Sequence, residues 1–218
     1  KTYLGFNDPF IIVDGVNVST DKINSLFDLE KINSFNNLEH VNRLLEFGAG
    51  SGKLSECILT FYNKINYVIC DIPPAIYVAF KRLKLAFPNK KISLLINNNS
   101  KESLEEEIKN NDISFIFPNQ LKLLNNKLFD IIIAIDCLHE FDKKVINLYF
   151  QLINNLTSNF YFSIWNKTKL IDSKTIFKDT ERLDFEKGDY PIPKNWKNTF
   201  KENFLFPSNF LSLGYIIK

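Results

Sequence analysis

The sequence predicts an α/β fold, a mainly parallel sheet with helices on both faces, and three observations carry that prediction. Apolar strand-like runs and amphipathic helical runs alternate between Arg43 and Trp165, the pattern of a parallel sheet with helical crossovers. Phe129 to Ile135 is a continuous apolar run, as expected of a strand buried on both faces at a sheet centre. Leu44-Leu45-Glu46-Phe47 runs directly into Gly48-Ala49-Gly50-Ser51-Gly52, and Asp71 follows the next apolar run. Strand, glycine-rich turn, helix, strand and acid, in that order, build a nucleoside-binding crevice at the carboxyl ends of the strands.

Each element has a local reason. Phe10 to Val13, Asp14-Gly15 and Val16 to Val18 read as a hairpin, because Asp-Gly supplies the positive φ angles of a tight turn. Ser19, Thr20 and Asp21 offer caps for a helix carrying the apolar residues Ile23, Leu26, Phe27 and Leu29. The first core strand is Arg43–Phe47, with its helix starting near Lys53; the second is Tyr67–Cys70. Pro73-Pro74 then opens a helix, since proline is tolerated in a first turn. A strand is expected over Lys91–Ile96, a loop over Asn97–Ser100, and an acidic helix through Ile108 capped by Ser100 or Ser103. Ile113–Phe117, Phe129–Ile135 and Phe160–Trp165 complete the core strands. Asp142 caps an intervening helix with a core face of Val145, Leu148, Tyr149, Leu152 and Leu156. Trp196–Phe200 and Phe210–Ile217 alternate, as an antiparallel pair at the sheet edge would.

A chain of 218 residues suits one α/β domain with a sizeable core. The expected organisation is a single domain over 1–218, with an N-terminal hairpin and helix over 1–40, a core over 41–165, and an acceptor-side loop and strand pair over 166–218. The N-terminal section either covers the crevice as a lid or closes one end of the sheet. Net charge is +2 with both signs interspersed, which argues against a nucleic-acid-coating surface. Cys57, Cys70 and Cys137 are too few and too scattered for a disulfide framework, so reduced thiols and a cytoplasmic location are expected. Two histidines and no Cys/His cluster predict no metal site. No apolar run reaches the roughly 18 residues of a membrane span. The chain opens at Lys1, which leaves an upstream start open.

The glycine turn points to S-adenosylmethionine rather than a dinucleotide. The spacing is Gly-x-Gly-x-Gly, and Lys53 stands where the third dinucleotide glycine would be. Glu46, two residues before the first glycine, suits a cationic methionine ammonium, directly or through water, and would repel a pyrophosphate. Asp71 is placed to accept both ribose hydroxyls. The cofactor-binding set is therefore Glu46, Gly48, Ala49, Gly50, Gly52, Asp71 and Ile72, with Ile72 on the adenine face. Asn119 and Gln120, at the end of the third core strand, either reach the adenine or are exposed loop amides. Asp136, bordering the same crevice, completes the cofactor-binding set.

These residues resemble those of class I S-adenosylmethionine-dependent methyltransferases over about Arg43–Trp165: the Glu46–Gly52 turn matches their first motif, and Asp71 their ribose-binding acid. The resemblance implies a Rossmann-like seven-stranded mixed sheet, with the final strand pair contributing the antiparallel strand. More narrowly, Tyr67–Ala79, Phe117-Pro118-Asn119-Gln120-Leu121, Phe141-Asp142-Lys143-Lys144 and Tyr190–Trp196 are similar to a family of predicted sugar O-methyltransferases. That implies transfer of a methyl group to a hydroxyl of a sugar or glycan precursor; another small metabolite, or silent cofactor binding, is the alternative. His139 and Asn119 depart from the narrower pattern. The Asp71-Ile72-Pro73-Pro74 run resembles the signature of adenine amino methylases. It follows the second strand, however, and that signature belongs after the fourth, where this chain reads Asp136-Cys137-Leu138-His139-Glu140.

A sugar hydroxyl is a poor nucleophile until its proton begins to leave. The segment after Phe129–Ile135 opens at the strand carboxyl ends, and His139 is its candidate base because imidazole titrates near neutral pH. Glu140 or Asp136 would orient it. The competing reading makes His139 a hydrogen-bonded loop residue. Trp165, Tyr190 and Trp196 are candidates for an aromatic wall against the acceptor, or else packing residues.

Overall fold

The computed structural model describes residues 10–95, 100–168, 183–184, 190–204 and 210–218. Asn97–Asn99 of the expected loop lie outside them. The chain divides into two compact units, Lys1–Leu124 and Asn125–Lys218, a division that falls inside the segment expected as the core.

The first unit opens with the predicted hairpin. Strands β1 (Phe10–Val13) and β2 (Val16–Ser19) pair antiparallel, and Asp14 and Gly15 take φ of 49° and 75° at the turn. Helix α1 (Thr20–Phe35) follows, with the Ser19 side chain accepting from the Lys22 N–H. Its buried face is Ser25, Asp28, Leu29 and Ile32, while Leu26 and Phe27 are 47% and 38% exposed. The four apolar positions read from the sequence span an arc wider than a single packing stripe, and α1 lies on the helix after the glycine turn rather than in a sheet groove.

That turn joins β3 (Arg43–Phe47) to α2 (Lys53–Phe61). Next come β4 (Asn66–Cys70), α3 (Ala75–Ala86), β5 (Ile92–Leu94), α4 (Lys101–Asn110) and β6 (Ile113–Ile116). The four strands are parallel in the order β3-β4-β6-β5. Pro73 and Pro74 precede α3 rather than opening it, and Ser100 caps α4. Leu44, Leu45, Ile58, Val68, Ile69, Ala79, Leu83, Ile113 and Phe115 are fully buried between sheet and helices.

The second unit holds β7 (Ile131–Ile135), α5 (Lys143–Leu156), β8 (Asn159–Trp165), the two-residue strands β9 (Lys167–Thr168) and β10 (Leu183–Asp184), then β11 (Trp196–Asn203) and β12 (Phe210–Ile217). β7 and β8 are parallel, β12 is antiparallel to β8, and β11 is antiparallel to β12. Ile131 to Ala134 are fully buried, as a continuous apolar run requires. Helix α5 buries Ile146, Phe150, Ile153 and Leu156, and leaves Leu148 53% exposed. Its predicted face is rotated by one position, because Phe150 and not Tyr149 inserts among Phe160, Phe162 and Trp196.

The fold is therefore mixed α/β, with parallel and antiparallel strands flanked by helices. The strand expected over Lys91–Ile96, one more than the seven that the resemblance implies, forms as β5 (Ile92–Leu94) at the outer edge of β6. Among the described residues no helix is long and apolar enough to cross a membrane.

Candidate functional site

In the first unit the backbone between β3 and α2 turns through three left-handed glycines, Gly48, Gly50 and Gly52, at φ of 75°, 55° and 75°. Gly48 N–H donates to the Cys70 carbonyl at 2.9 Å, which ties the turn to the end of β4. A Cβ on Gly52 would stand 3.1 Å from the Ala79 Cβ, so this glycine lets α2 and α3 approach. A Cβ on Gly50 would meet nothing within 4 Å: this glycine faces open space. Ala49 and Ser51 between them are partly exposed.

Asp71 lies just beyond β4 and grips the turn. Its Oδ2 accepts from the Gly50 N–H at 2.8 Å, and its Oδ1 from the Ile72 N–H at 2.7 Å. Ile72 is 56% exposed. Glu46 sits on β3 beneath the turn and is 2% exposed. Its Oε2 accepts from the Tyr67 hydroxyl at 2.9 Å and from the Ser55 hydroxyl. Burial pushes the Glu46 carboxyl up to about 7, against the two hydrogen bonds, with the nearby Asp71 charge adding to the rise. Lys53, the first residue of α2, pairs with Asp21 of α1.

Among the predicted adenine neighbours, Asn119 is exposed and Gln120 is 1% exposed. Gln120 Oε1 accepts from the Phe117 N–H at 2.7 Å and its Nε2 donates to the Leu95 carbonyl at 2.8 Å. Its amide is a clip between β6's exit and the end of β5, neither an exposed amide nor one directed at a ligand.

In the second unit Asp136 follows β7 with φ of 52°, a left-handed angle uncommon outside glycine. The turn brings its carboxylate beside His139, with Oδ1 3.7 Å from Nε2. His139 stacks on Trp165 with centroids 4.5 Å apart and planes at 26°. Its Nδ1 is buried and has no hydrogen-bond partner among the described residues. Burial raises the Asp136 carboxyl above its usual range; His139 and a hydrogen bond from Trp165 oppose the rise, and Glu140 adds to it. Glu140 itself is exposed.

The three predicted wall aromatics do not share one role. Trp165 supports His139. Trp196 is 7% exposed and packs on Phe150, Phe160 and Tyr215, and its indole N–H donates to Asn154 Oδ1 at 2.9 Å. Trp196 is thus corrected from acceptor wall to core. Its place on β11 turns the ring inward against the aromatic face of β8 and β12. Tyr190 is 9% exposed. Ser55 and Tyr67 escaped the sequence reading. The signal for Tyr67 was its register: it lies opposite Leu44, two residues from Glu46 on the same strand face. Among the described residues no group of three or more His, Cys, Asp or Glu is placed to hold a metal ion.

Parallel strands with a glycine turn after the first core strand, and β7, β8 and an antiparallel strand pair in the second unit, form a mixed α/β fold shared with solved structures that include an O-methyltransferase family protein. The chain is similar to the PH0226 protein from Pyrococcus horikoshii OT3, at 16% identity and TM-score 0.57, over 91% of this chain and 90% of that one. It is similar to an O-methyltransferase family protein from Burkholderia thailandensis, at 10% identity and TM-score 0.56, over 90% of this chain and 57% of that one. It is also similar to a mutant of MtNAS in complex with S-adenosylmethionine, at 11% identity and TM-score 0.52, over 88% of this chain and 61% of that one. No family model matches the sequence, and no curated protein does.

Proposed function

We propose that the chain is an S-adenosylmethionine-dependent methyltransferase acting on a hydroxyl of a sugar or glycan precursor. One observation carries the cofactor: a bare glycine turn flanked by two carboxylates, Glu46 and Asp71, with its nearest lysine already paired to Asp21. Such a turn favours a nucleoside with a cationic tail and disfavours a pyrophosphate. The fold neighbour with bound S-adenosylmethionine supports the same choice.

The residues fit that group. The open space over Gly50 admits it, and Ile72 offers an exposed apolar face for an adenine. Glu46 would hold the ammonium, Asp71 the ribose hydroxyls, and Asn119, since the Gln120 amide is occupied within the fold, the adenine edge. When bound, the cofactor supplies a methyl group on a sulfonium, with a neutral thioether as leaving group. Much of the remaining work is positioning.

The acceptor hydroxyl needs a base, and His139, with its side chain 12% exposed, is the candidate. Asp136, facing Nε2, favours the tautomer with its proton there. Trp165 holds the ring plane. The sugar acceptor rests on the resemblance of Tyr67–Ala79 and Tyr190–Trp196. One observation favours a different small metabolite: with Trp165 stacked on His139 and Trp196 in the core, two of three aromatics are withdrawn from a sugar wall.

Purified protein with methyl-labelled cofactor and a panel of nucleotide sugars and non-carbohydrate hydroxyl compounds tests the assignment. Label transfer to a sugar, lost in His139→Ala, is the expected result. Transfer only to non-carbohydrate acceptors removes the sugar, and cofactor binding without transfer to any acceptor leaves a silent binding module.

A further inference from the structure

Glu46 is completed by two side chains that no part of the cofactor reading used. Ser55 reaches it from the first turn of α2 and Tyr67 from β4, and both are fully buried. Both hydroxyls converge on the same oxygen, Oε2, and among the described residues no hydroxyl donates to Oε1. Resting on the reading of the glycine turn as an S-adenosylmethionine site, we propose that Ser55 and Tyr67 are positioning residues. They anchor one edge of the Glu46 carboxylate so that the other meets the ligand's ammonium, and the ligand's arrival drives the carboxyl proton out to solvent.

The surroundings of Glu46 dictate the proton's part. The charged group that acts on it is Asp71, at the end of β4, whose charge adds to the rise. Tyr67 is itself held protonated by burial and by the Glu46 charge, so it is a donor throughout the neutral range. Cys57, on the same helix as Ser55, has its thiol pushed up to about 11 and stays neutral. Without ligand, Glu46 titrates near 7, so at neutral pH about half the molecules carry its proton. An ammonium brought to that carboxyl favours the anion, and the proton must leave. The two hydroxyls favour the anion as well, since each donates to it. Removing either one makes ionisation harder and capture weaker, without touching the ligand.

Calorimetry with S-adenosylhomocysteine between pH 6 and pH 8, in two buffers of different ionisation enthalpy, reads both affinity and protons released. The wild-type chain is expected to bind about tenfold tighter at pH 8 than at pH 6 and to release a fraction of a proton near pH 7. Tyr67→Phe and Ser55→Ala each move the midpoint of that profile upward; a shift of about one unit lowers affinity at pH 7 about fivefold. Glu46→Gln flattens the profile. Binding by the wild-type chain with no proton release, or an unchanged pH profile in both Tyr67→Phe and Ser55→Ala, overturns the proposal alone. The proton count is taken on the wild-type chain, so it decides even where a variant does not fold. Absence of binding at every pH overturns the cofactor reading and the proposal together.

Discussion

Glu46 carries a thermodynamic signature that needs no ligand. Its carboxyl titrates near 4.5 in an unfolded chain and about 7 when buried. Between those values the folded chain holds more protons than the unfolded one, so stability falls as pH rises. The contribution is fully present below pH 4.5 and lost above 7, and amounts to about 3 kcal/mol over the window. Glu46→Gln removes it. The melting temperature of the variant relative to wild type is expected to climb from pH 5 to about pH 7 and then level off; a difference independent of pH contradicts this. The two inner glycines separate packing from ligand approach. Gly52→Ala combines a strained φ of 75° with a 3.1 Å contact on Ala79, and should cost about 2 kcal/mol by denaturant titration. Gly50→Ala has the strain without the contact and should cost about 1 kcal/mol. Its methyl group enters the open space, so S-adenosylhomocysteine affinity should drop at least tenfold, a loss its stability does not foreshadow.

Helix α5 shows what holds an element in place beyond its apolar stripe. Asn154 near its C-terminal end accepts from Asn195 Nδ2 at 2.7 Å and from the Trp196 indole at 2.9 Å, which ties the helix to the start of β11. Asn154→Ala leaves a buried indole N–H without its acceptor and should destabilise the chain by about 2 kcal/mol, measured by chemical denaturation. Trp196→Phe removes the donor together with the need for it, so the double variant should lose less than the two singles summed. No sequence pattern announced this clip, because Asn154 and Trp196 are 42 residues apart. The strands were legible for the opposite reason. β3, β4, β7 and β8 are short, apolar and bounded by turn residues, so composition alone located them. Helix faces were harder. In α5 apolar residues occupy two adjacent stripes, and only the aromatic cluster beneath selects Ile146, Phe150, Ile153 and Leu156. At the site, the glycine turn and Asp71 were readable because positive φ and a strand-end acid leave a local imprint. The Gln120 clip and the Trp165–His139 stack were not, since each depends on partners brought in by distant strands.

For the whole molecule, ligand binding and stability are linked. Of the residues proposed to hold the donor, Glu46, Gly48, Gly50, Asp71, Ile72 and Asn119 belong to the first compact unit, Lys1–Leu124. A ligand that binds only the folded chain at 100 times its Kd adds about 2.7 kcal/mol. In a domain of this size each kcal/mol moves the melting temperature by about 2–4 °C, so S-adenosylhomocysteine at that excess should raise it by about 5–10 °C. NAD at the same concentration should leave it unchanged, because its pyrophosphate would meet the carboxylates of Glu46 and Asp71 at the glycine turn. Hydrogen exchange then locates the gain. The amides of Gly50 and Ile72 already donate to Asp71, and closing ligand over them should slow their exchange more than that of the β11–β12 pair in the second unit. Stabilisation by NAD rather than by S-adenosylhomocysteine would mean that the two acids do not set the ligand's charge.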